Sequence, residues 1–290
     1  LPITFGFHSA TQHYCNLVEH LKIDSNATEK YWHIVKLMGR AASHVTLEVA
    51  LCSHPNACVL SEEIDSNSWQ LQDLVDYFSS IIIERYDSGQ PYGVIVFPEG
   101  IVDVIPELKS YADGDLLPLN DVLGEYGLDR LRQISVDTDS HGNTNLSLIR
   151  VEDILLKLVQ ADVSKQLGSD DAVKFIHHFF GYTGRAVDPT PFDSAFSKLL
   201  GKTAYELVLS NITGVMAGVG YCNNELKVTG IPLNALMSYD KSKERYVIKK
   251  QLVEMMSNEY QKYSEEKDAW QRYPSDFYRR PAHDIPENGD

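Results

Sequence analysis

The chain has 290 residues, a hydrophobic fraction of 43%, a charged fraction of 23% and a formal net charge of −15. That length leaves room for about two domains with a substantial core. The acidic balance speaks against nucleic-acid and anionic-membrane partners, both of which reward clustered Lys and Arg.

No apolar run approaches the ~20 residues of a membrane helix, and no signal-peptide pattern is visible in the sequence. The four cysteines, Cys15, Cys52, Cys58 and Cys222, are widely spaced and form no CxxC pair. They predict reduced, buried thiols and a cytoplasmic protein.

In chain order, Phe5-Gly6-Phe7 leads into a helix expected to start at Ser9, its cap, with Tyr14, Leu17, Val18 and Leu21 on the apolar face. Tyr31 to Leu37 is aromatic and β-branched with few polar interruptions, the pattern of a buried strand. Gly39 then allows a tight turn, and Ala41-Ala42-Ser43 is expected to open a helix through Leu47, Val49, Ala50 and Leu51. Amides at a helix start attract anions, and Arg40 adds a fork suited to a phosphate, although such a junction serves equally as plain packing. Ala57–Leu60 predicts a short strand, Trp69–Arg85 an amphipathic helix, and Tyr92–Phe97 a third strand ending at Pro98-Glu99-Gly100. Strands alternating with helices imply parallel βαβ units, whose ligands gather at the carboxyl ends of strands. Arg40 and Glu99 both fall at such ends, although a carboxylate at Glu99 also suits a helix cap.

From Ile105 to Gly168 the pattern is helical and acidic, with helices expected at Leu116–Leu131 and Val151–Leu167 around a polar turn at Ser140-His141-Gly142-Asn143. The 10 histidines show no metal-ligand spacing. Lys174–Tyr182 is an aromatic-rich strand in which His177 and His178 face opposite sides. It runs into Thr183-Gly184-Arg185, where the arginine alone would read as a surface ion pair. Beyond it lie a helix at Pro189–Ser210, strands at Thr213–Tyr221 and Glu225–Val228 joined by Cys222-Asn223-Asn224, and a long helix at Tyr246–Tyr263. The tail from Trp270 is aromatic, basic and proline-containing.

The wording KYWHIVKLMGRAASHVTLE, from Lys30 to Glu48, resembles the hexose-phosphate site of the phosphofructokinase family, in particular its long pyrophosphate-dependent branch. The likeness recurs in order at Phe97-Pro98-Glu99-Gly100, at His177–Arg185 (HHFFGYTGR) and at Tyr278-Arg279-Arg280-Pro281. It implies an α/β fold of three layers, α/β/α, with a helical insertion at about 105–170. Residues 1–185 would form the fructose 6-phosphate-binding lobe and 186–290 a segment completing the first lobe, with a C-terminal helix and tail. The family's glycine-aspartate-rich donor loop and its aspartate base loop have no match here, so the chain is expected to be the C-terminal portion of an enzyme whose N-terminal donor-binding part is missing, and to be inactive alone.

The implied reaction is phosphoryl transfer to the 1-hydroxyl of fructose 6-phosphate, giving fructose 1,6-bisphosphate. Pyrophosphate is favoured over ATP as donor, and Mg²⁺ is expected to be held by the missing segment. No metal ligand is assigned in this chain. By the resemblance, Arg40 and Arg185 meet the sugar phosphate or transition-state charge, Glu99 the sugar hydroxyls, and the Met38-Gly39 backbone shapes the pocket. Tyr182 and Gly184 match the family's GYEGR, whereas Thr183 replaces its glutamate. Lys30 and Tyr31 match residues that reach a neighbouring subunit's site, implying a homo- or hetero-oligomer. The alternative is a regulatory, non-catalytic half that binds sugar phosphate.

Overall fold

The computed structural model describes residues 3–40, 42–112, 149–222, 225–240, 244–248 and 250–272. The chain divides into two compact units, one of Leu1–His13 with Tyr182–Leu252, the other of Tyr14–Gly181 with Val253–Asp290.

The larger unit is built around β1 (Tyr31–Leu37), which is buried at every residue after Tyr31. A strand covered on both faces has to be apolar throughout, as this one nearly is. It runs parallel to β3 (Gly93–Pro98) on one side and β4 (Lys174–Phe180) on the other, while β2 (Ala57–Cys58) flanks β3, giving the order β2-β3-β1-β4. The register sets Leu37 level with both Pro98 and Phe180, so these three strands end together.

Alternation along the strands assigns the faces. Trp32, Ile34, Ala57, Val59, Ile95 and Phe97 enter a core with α4 (Leu71–Asp87), α5 (Ile101–Val104), α6 (Pro106–Ala112) and α7 (Val151–Leu167). Cys58 and Leu60 turn the other way, toward Leu47 and Ala50 of α2 (His44–Ser53) and Tyr263 and Trp270 of α9 (Asn258–Arg272). On that side α1 (Phe7–Thr28) stacks Tyr14 on Phe180, 6.5 Å between ring centroids. The result is the three-layer α/β/α sandwich expected from the sequence.

Buried charges tie the layers together. Lys36, fully buried in β1, lies 2.7 Å from Glu152, donates to the Ile149 carbonyl at 2.7 Å and sits 4.2 Å over the Phe179 ring. It thereby fixes the start of α7 against the sheet. Glu63 in α3 (Ser61–Asn67) accepts from Leu60 N at 3.0 Å, Tyr263 at 3.0 Å and Lys267 at 2.6 Å, latching α9 down. His177 and His178 do face opposite sides: His178 Nε2 meets His33 Nδ1 at 2.9 Å, and His177 Nε2 lies 3.3 Å from Arg150.

The smaller unit holds α8 (Pro191–Leu209), an antiparallel pair β5 (Val215–Cys222) and β6 (Glu225–Pro232), and a second pair β7 (Met237–Asp240) and β8 (Arg245–Ile248). Thr190 caps α8 by accepting from the Asp193 amide. Large apolar side chains stay exposed here, among them Leu199, Tyr205, Val208, Leu209 and Ile212. Among the described residues no helix is long and apolar enough to cross a membrane.

β1 and α7 match the sequence reading to the residue, and several other expectations need correction. Ser9 is not a cap: α1 starts at Phe7, and its first turn is capped by Asp193, which accepts from Gly6 N and Ser9 N at 2.8 Å each and from the Ser9 hydroxyl. The helix after Arg40 opens at His44 with Ser43 as its N-cap. No single helix spans Tyr246–Tyr263: Tyr246 lies in β8, with its ring 5.3 Å from Tyr239, and α9 begins only at Asn258. Cross-strand aromatic and β-branched pairing outweighed a helical period there. Cys52 is exposed, not buried. The expected helix at Leu116–Leu131, the turn at Ser140–Asn143 and the Tyr278–Pro281 motif lie outside the described residues.

Candidate functional site

β1 hands the chain to α2 on one face of the sheet, and its neighbour β3 hands it to α5 on the other. Their carboxyl ends therefore flank the switch point of the sheet, where open α/β sheets gather ligands.

Two turns interlock at that point. The Glu99 amide donates to the Leu37 carbonyl at 2.9 Å and the Gly100 amide to the Gly39 carbonyl at 3.1 Å, extending the β1–β3 ladder past both strands. The Glu99 carboxylate, 8% exposed, accepts from the Gly39 amide at 3.4 Å. Gly39 has φ +147, where a side chain is strained, and a Cβ there would come 3.2 Å from the Ala42 carbonyl. At Gly100 a Cβ would stand 2.5 Å from the Arg40 carbonyl and 2.9 Å from that of Gly39. Met38, Gly39 and Arg40 are half-buried, so their outer surface reaches solvent.

The carboxylate of Glu99 reaches back to the Gly39 amide and so ties the end of β3 to that of β1. At the start of α2, the Ser43 amide does not await an anion: it already donates to Glu62 at 3.1 Å, while Ser43 Oγ accepts from the Ser61 amide at 2.9 Å. Glu62 also accepts from Val253 N at 2.9 Å. Gly100 and Glu62 were not among the sequence candidates. The strand-end glycine was a signal for the first, and nothing local marked the second.

Gly39, Arg40 and Glu99 are thus brought together, whereas Lys30 and Tyr31 are not. Lys30 is exposed just before β1, and the carbonyl of half-buried Tyr31 accepts from Ser25 at 3.0 Å. At ~3.3 Å per residue, β1 separates them from Arg40 by more than ~20 Å. In the smaller unit, Tyr182–Arg185 form a 3-10 turn. Tyr182 is 68% exposed, Thr183 is exposed, Gly184 is buried, and the Arg185 guanidinium lies 5.9 Å from the Tyr182 ring centroid. Among the described residues no group of three or more His, Cys, Asp or Glu is placed to hold a metal ion, so no site for Mg²⁺ is assigned to them.

A parallel sheet with helices on both faces and a charged, glycine-shaped turn pair at its switch point defines an α/β/α sandwich protein. The phosphofructokinase family model matches residues 2–208, and the chain belongs to that family. It is 35% identical, over 93% of its length, to pyrophosphate–fructose 6-phosphate 1-phosphotransferase subunit beta of Ricinus communis, and covers 54% of that protein. With pyrophosphate–fructose 6-phosphate 1-phosphotransferase of Porphyromonas gingivalis it shares 32% identity over 93% of the chain and 56% of the relative. The chain spans about half the length of the curated relatives it matches. The crystal structure of pyrophosphate-dependent phosphofructokinase from Nitrosospira multiformis superposes with a TM-score of 0.53 at 15% identity, covering 95% of this chain and 58% of that one, a likeness of fold.

Proposed function

We propose that this chain supplies the sugar-phosphate side of a phosphofructokinase that transfers a phosphoryl group from pyrophosphate to the 1-hydroxyl of fructose 6-phosphate. The observation that carries the reading is the interlocked pair of turns, which sets Arg40 and Glu99 at one switch point in a member of this family. A guanidinium can take a phosphate through paired hydrogen bonds, and an ionised carboxylate is a strong acceptor for sugar hydroxyls. Transfer of this kind depends on positioning and on neutralising charge; in the larger unit Arg40 offers that charge beside the Met38-Gly39 backbone, and the family resemblance assigns Tyr182, Thr183, Gly184 and Arg185 of the smaller unit to the sugar phosphate as well.

Three features support a larger working assembly. The relatives are about twice as long, one is named as a subunit, and the smaller unit exposes many large apolar side chains. In that assembly Lys30 and Tyr31 serve the site of a neighbouring subunit, because β1 holds them too far from their own Arg40. Thr183, where the family's pattern has glutamate, favours a second reading as a regulatory half that binds the sugar phosphate without turning it over.

Arg40→Ala in the intact protein tests the proposal. Loss of a charge-assisted hydrogen bond costs about 1.5–3 kcal/mol, so kcat/KM for fructose 6-phosphate should fall roughly tenfold or more. An unchanged kcat/KM in a folded variant sinks the assignment. An intact parent that binds fructose 6-phosphate but never turns over with pyrophosphate and Mg²⁺ selects the regulatory reading.

A further inference from the structure

Two consecutive carboxylates on α3 hold the same distant stretch of chain. Glu62 Oε1 accepts from the Val253 amide at 2.9 Å, 191 residues on. Glu63 accepts from three side chains of α9: Lys267 at 2.6 Å, Tyr263 at 3.0 Å and Tyr260 at 3.2 Å. Buried Val253 also joins Tyr263 and Trp270 against Leu47 and Ala50 of α2. Val253–Arg272 is thus fastened to the start of α3 by polar and apolar contacts together.

The start of α3 is in turn wedged against both strand-end turns. The Glu62 oxygen that takes the Val253 amide also takes the Ser43 amide, at 3.1 Å. Ser43 is fully buried, and its Oγ accepts from the Ser61 amide at 2.9 Å. On the other side, Ser61 Oγ stands 3.1 Å from where a Gly100 Cβ would lie, and the Gly100 amide donates to the Gly39 carbonyl at 3.1 Å. A carboxylate arm of fixed length therefore sets the spacing between Val253 and the chain that leaves Arg40.

We propose that Glu62 is a positioning residue for Arg40, and that the Val253–Arg272 stretch sets the sugar-phosphate site through it. The inference rests on the proposed role of Arg40. Two amides converge on one oxygen, so the carboxylate cannot follow one of them without drawing the other along. A buried amide is not left without an acceptor at low cost, and the Ser43 amide therefore moves with Glu62. What Glu62 contributes is the reach of its oxygen. Its negative charge, which opposes a phosphate, is incidental.

The test compares two conservative variants in the intact protein, reading kcat/KM for fructose 6-phosphate, or its Kd if the protein binds without turnover. Glu62→Gln keeps an oxygen at full reach and loses the charge. Glu62→Asp keeps the charge and draws the oxygen back by about one carbon–carbon bond, ~1.5 Å. Because a displacement near ~1 Å can cost a site about 100-fold, Glu62→Asp should lose roughly tenfold or more and Glu62→Gln at most about twofold. Hydrogen exchange at the Ser43 amide should quicken in Glu62→Asp and keep the parent's rate in Glu62→Gln. From the other side, Val253→Pro removes the amide that Val253→Ala keeps, and should fall below it by a similar factor of roughly ten. If Glu62→Asp does not fold, this second pair decides. Arg40→Ala is measured alongside: if it changes nothing, the sugar-phosphate reading of Arg40 fails and this inference with it. If Arg40→Ala weakens the protein, the positioning role alone is overturned by a Glu62→Asp that matches the parent, a Glu62→Gln that loses as much as Glu62→Asp, or a Val253→Pro equal to Val253→Ala.

Discussion

Gly100→Ala tests whether the two strand-end turns act as one site. The new Cβ would land 2.5 Å from the Arg40 carbonyl oxygen and 2.9 Å from that of Gly39. A carbon–oxygen contact relaxes near ~3.3 Å, so one turn has to retreat by roughly 0.8 Å. Both obstacles are backbone, and neither can swing away like a side-chain tip. Overpacking of this kind costs about 1–3 kcal/mol of stability. The larger effect is on function, since a displacement near 1 Å can cost a catalytic site about 100-fold.

Gly93 supplies the control. It lies at the opposite end of β3, where a Cβ would meet the Trp32 ring at 2.7 Å and Asn56 Oδ1 at 2.8 Å, both side chains of the core. Gly93→Ala should lose a similar ~1–3 kcal/mol without moving the strand-end turns. The assay pairs urea unfolding of each variant with kcat/KM for fructose 6-phosphate in the intact protein. Gly100→Ala should lower kcat/KM by about 10–100-fold and Gly93→Ala by little. A folded Gly100→Ala protein with unchanged kcat/KM, or equal losses in both variants, would refute the single-site reasoning.

The remaining predictions concern the scaffold. Lys36→Met strands Glu152, whose side chain is 6% exposed, without a countercharge; it should cost about 3–5 kcal/mol in urea unfolding, with much of that recovered in Lys36→Met/Glu152→Leu. A single variant as stable as the parent would show that the pair contributes nothing. Burial first, then His33 and His177, lowers His178 from 6.5 to about 4. The unfolded chain therefore takes up the proton first, so this stability is full above pH 6.5 and drains away as pH falls toward 4. A urea midpoint flat across that range, or equally sloped in His178→Leu, would contradict it.

Local pattern carried far where local forces decide. Tyr31–Leu37 is buried on both faces and so has a nearly unbroken apolar run; Val151–Leu167 buries one face at helical spacing. The parallel order implied by alternating strands and helices is enough to place Arg40 and Glu99 at strand ends. What stayed hidden depends on partners far along the chain. Ser9 resembled a cap, but the carboxylate that caps its helix comes from Asp193, 184 residues on. Tyr246-Val247-Ile248 fits either a helix or a strand, and pairing with Met237–Asp240 settles it. No sequence rule chooses Glu62, among so many acidic residues, as the group that fills the Ser43 amide.

That last contact bears on how an acidic chain can hold an anion. With a net charge of −15 the background field repels a sugar phosphate, and the usual remedy is the partial positive charge of a helix start. Here the chain's own carboxylates are already in place: Glu62 on the Ser43 amide and Glu99 on that of Gly39. They hold the turns in shape, yet they put negative charge at the strand ends. On the proposed reading, recognition at the strand ends then falls to a guanidinium group, Arg40, able to form paired bonds to a phosphate. Arg40 is partly exposed, and salt screens such a charge over a Debye length of ~8 Å at physiological ionic strength. On that reading the carboxylates fix the form of the turns, and Arg40 has to overcome the field that those carboxylates help create.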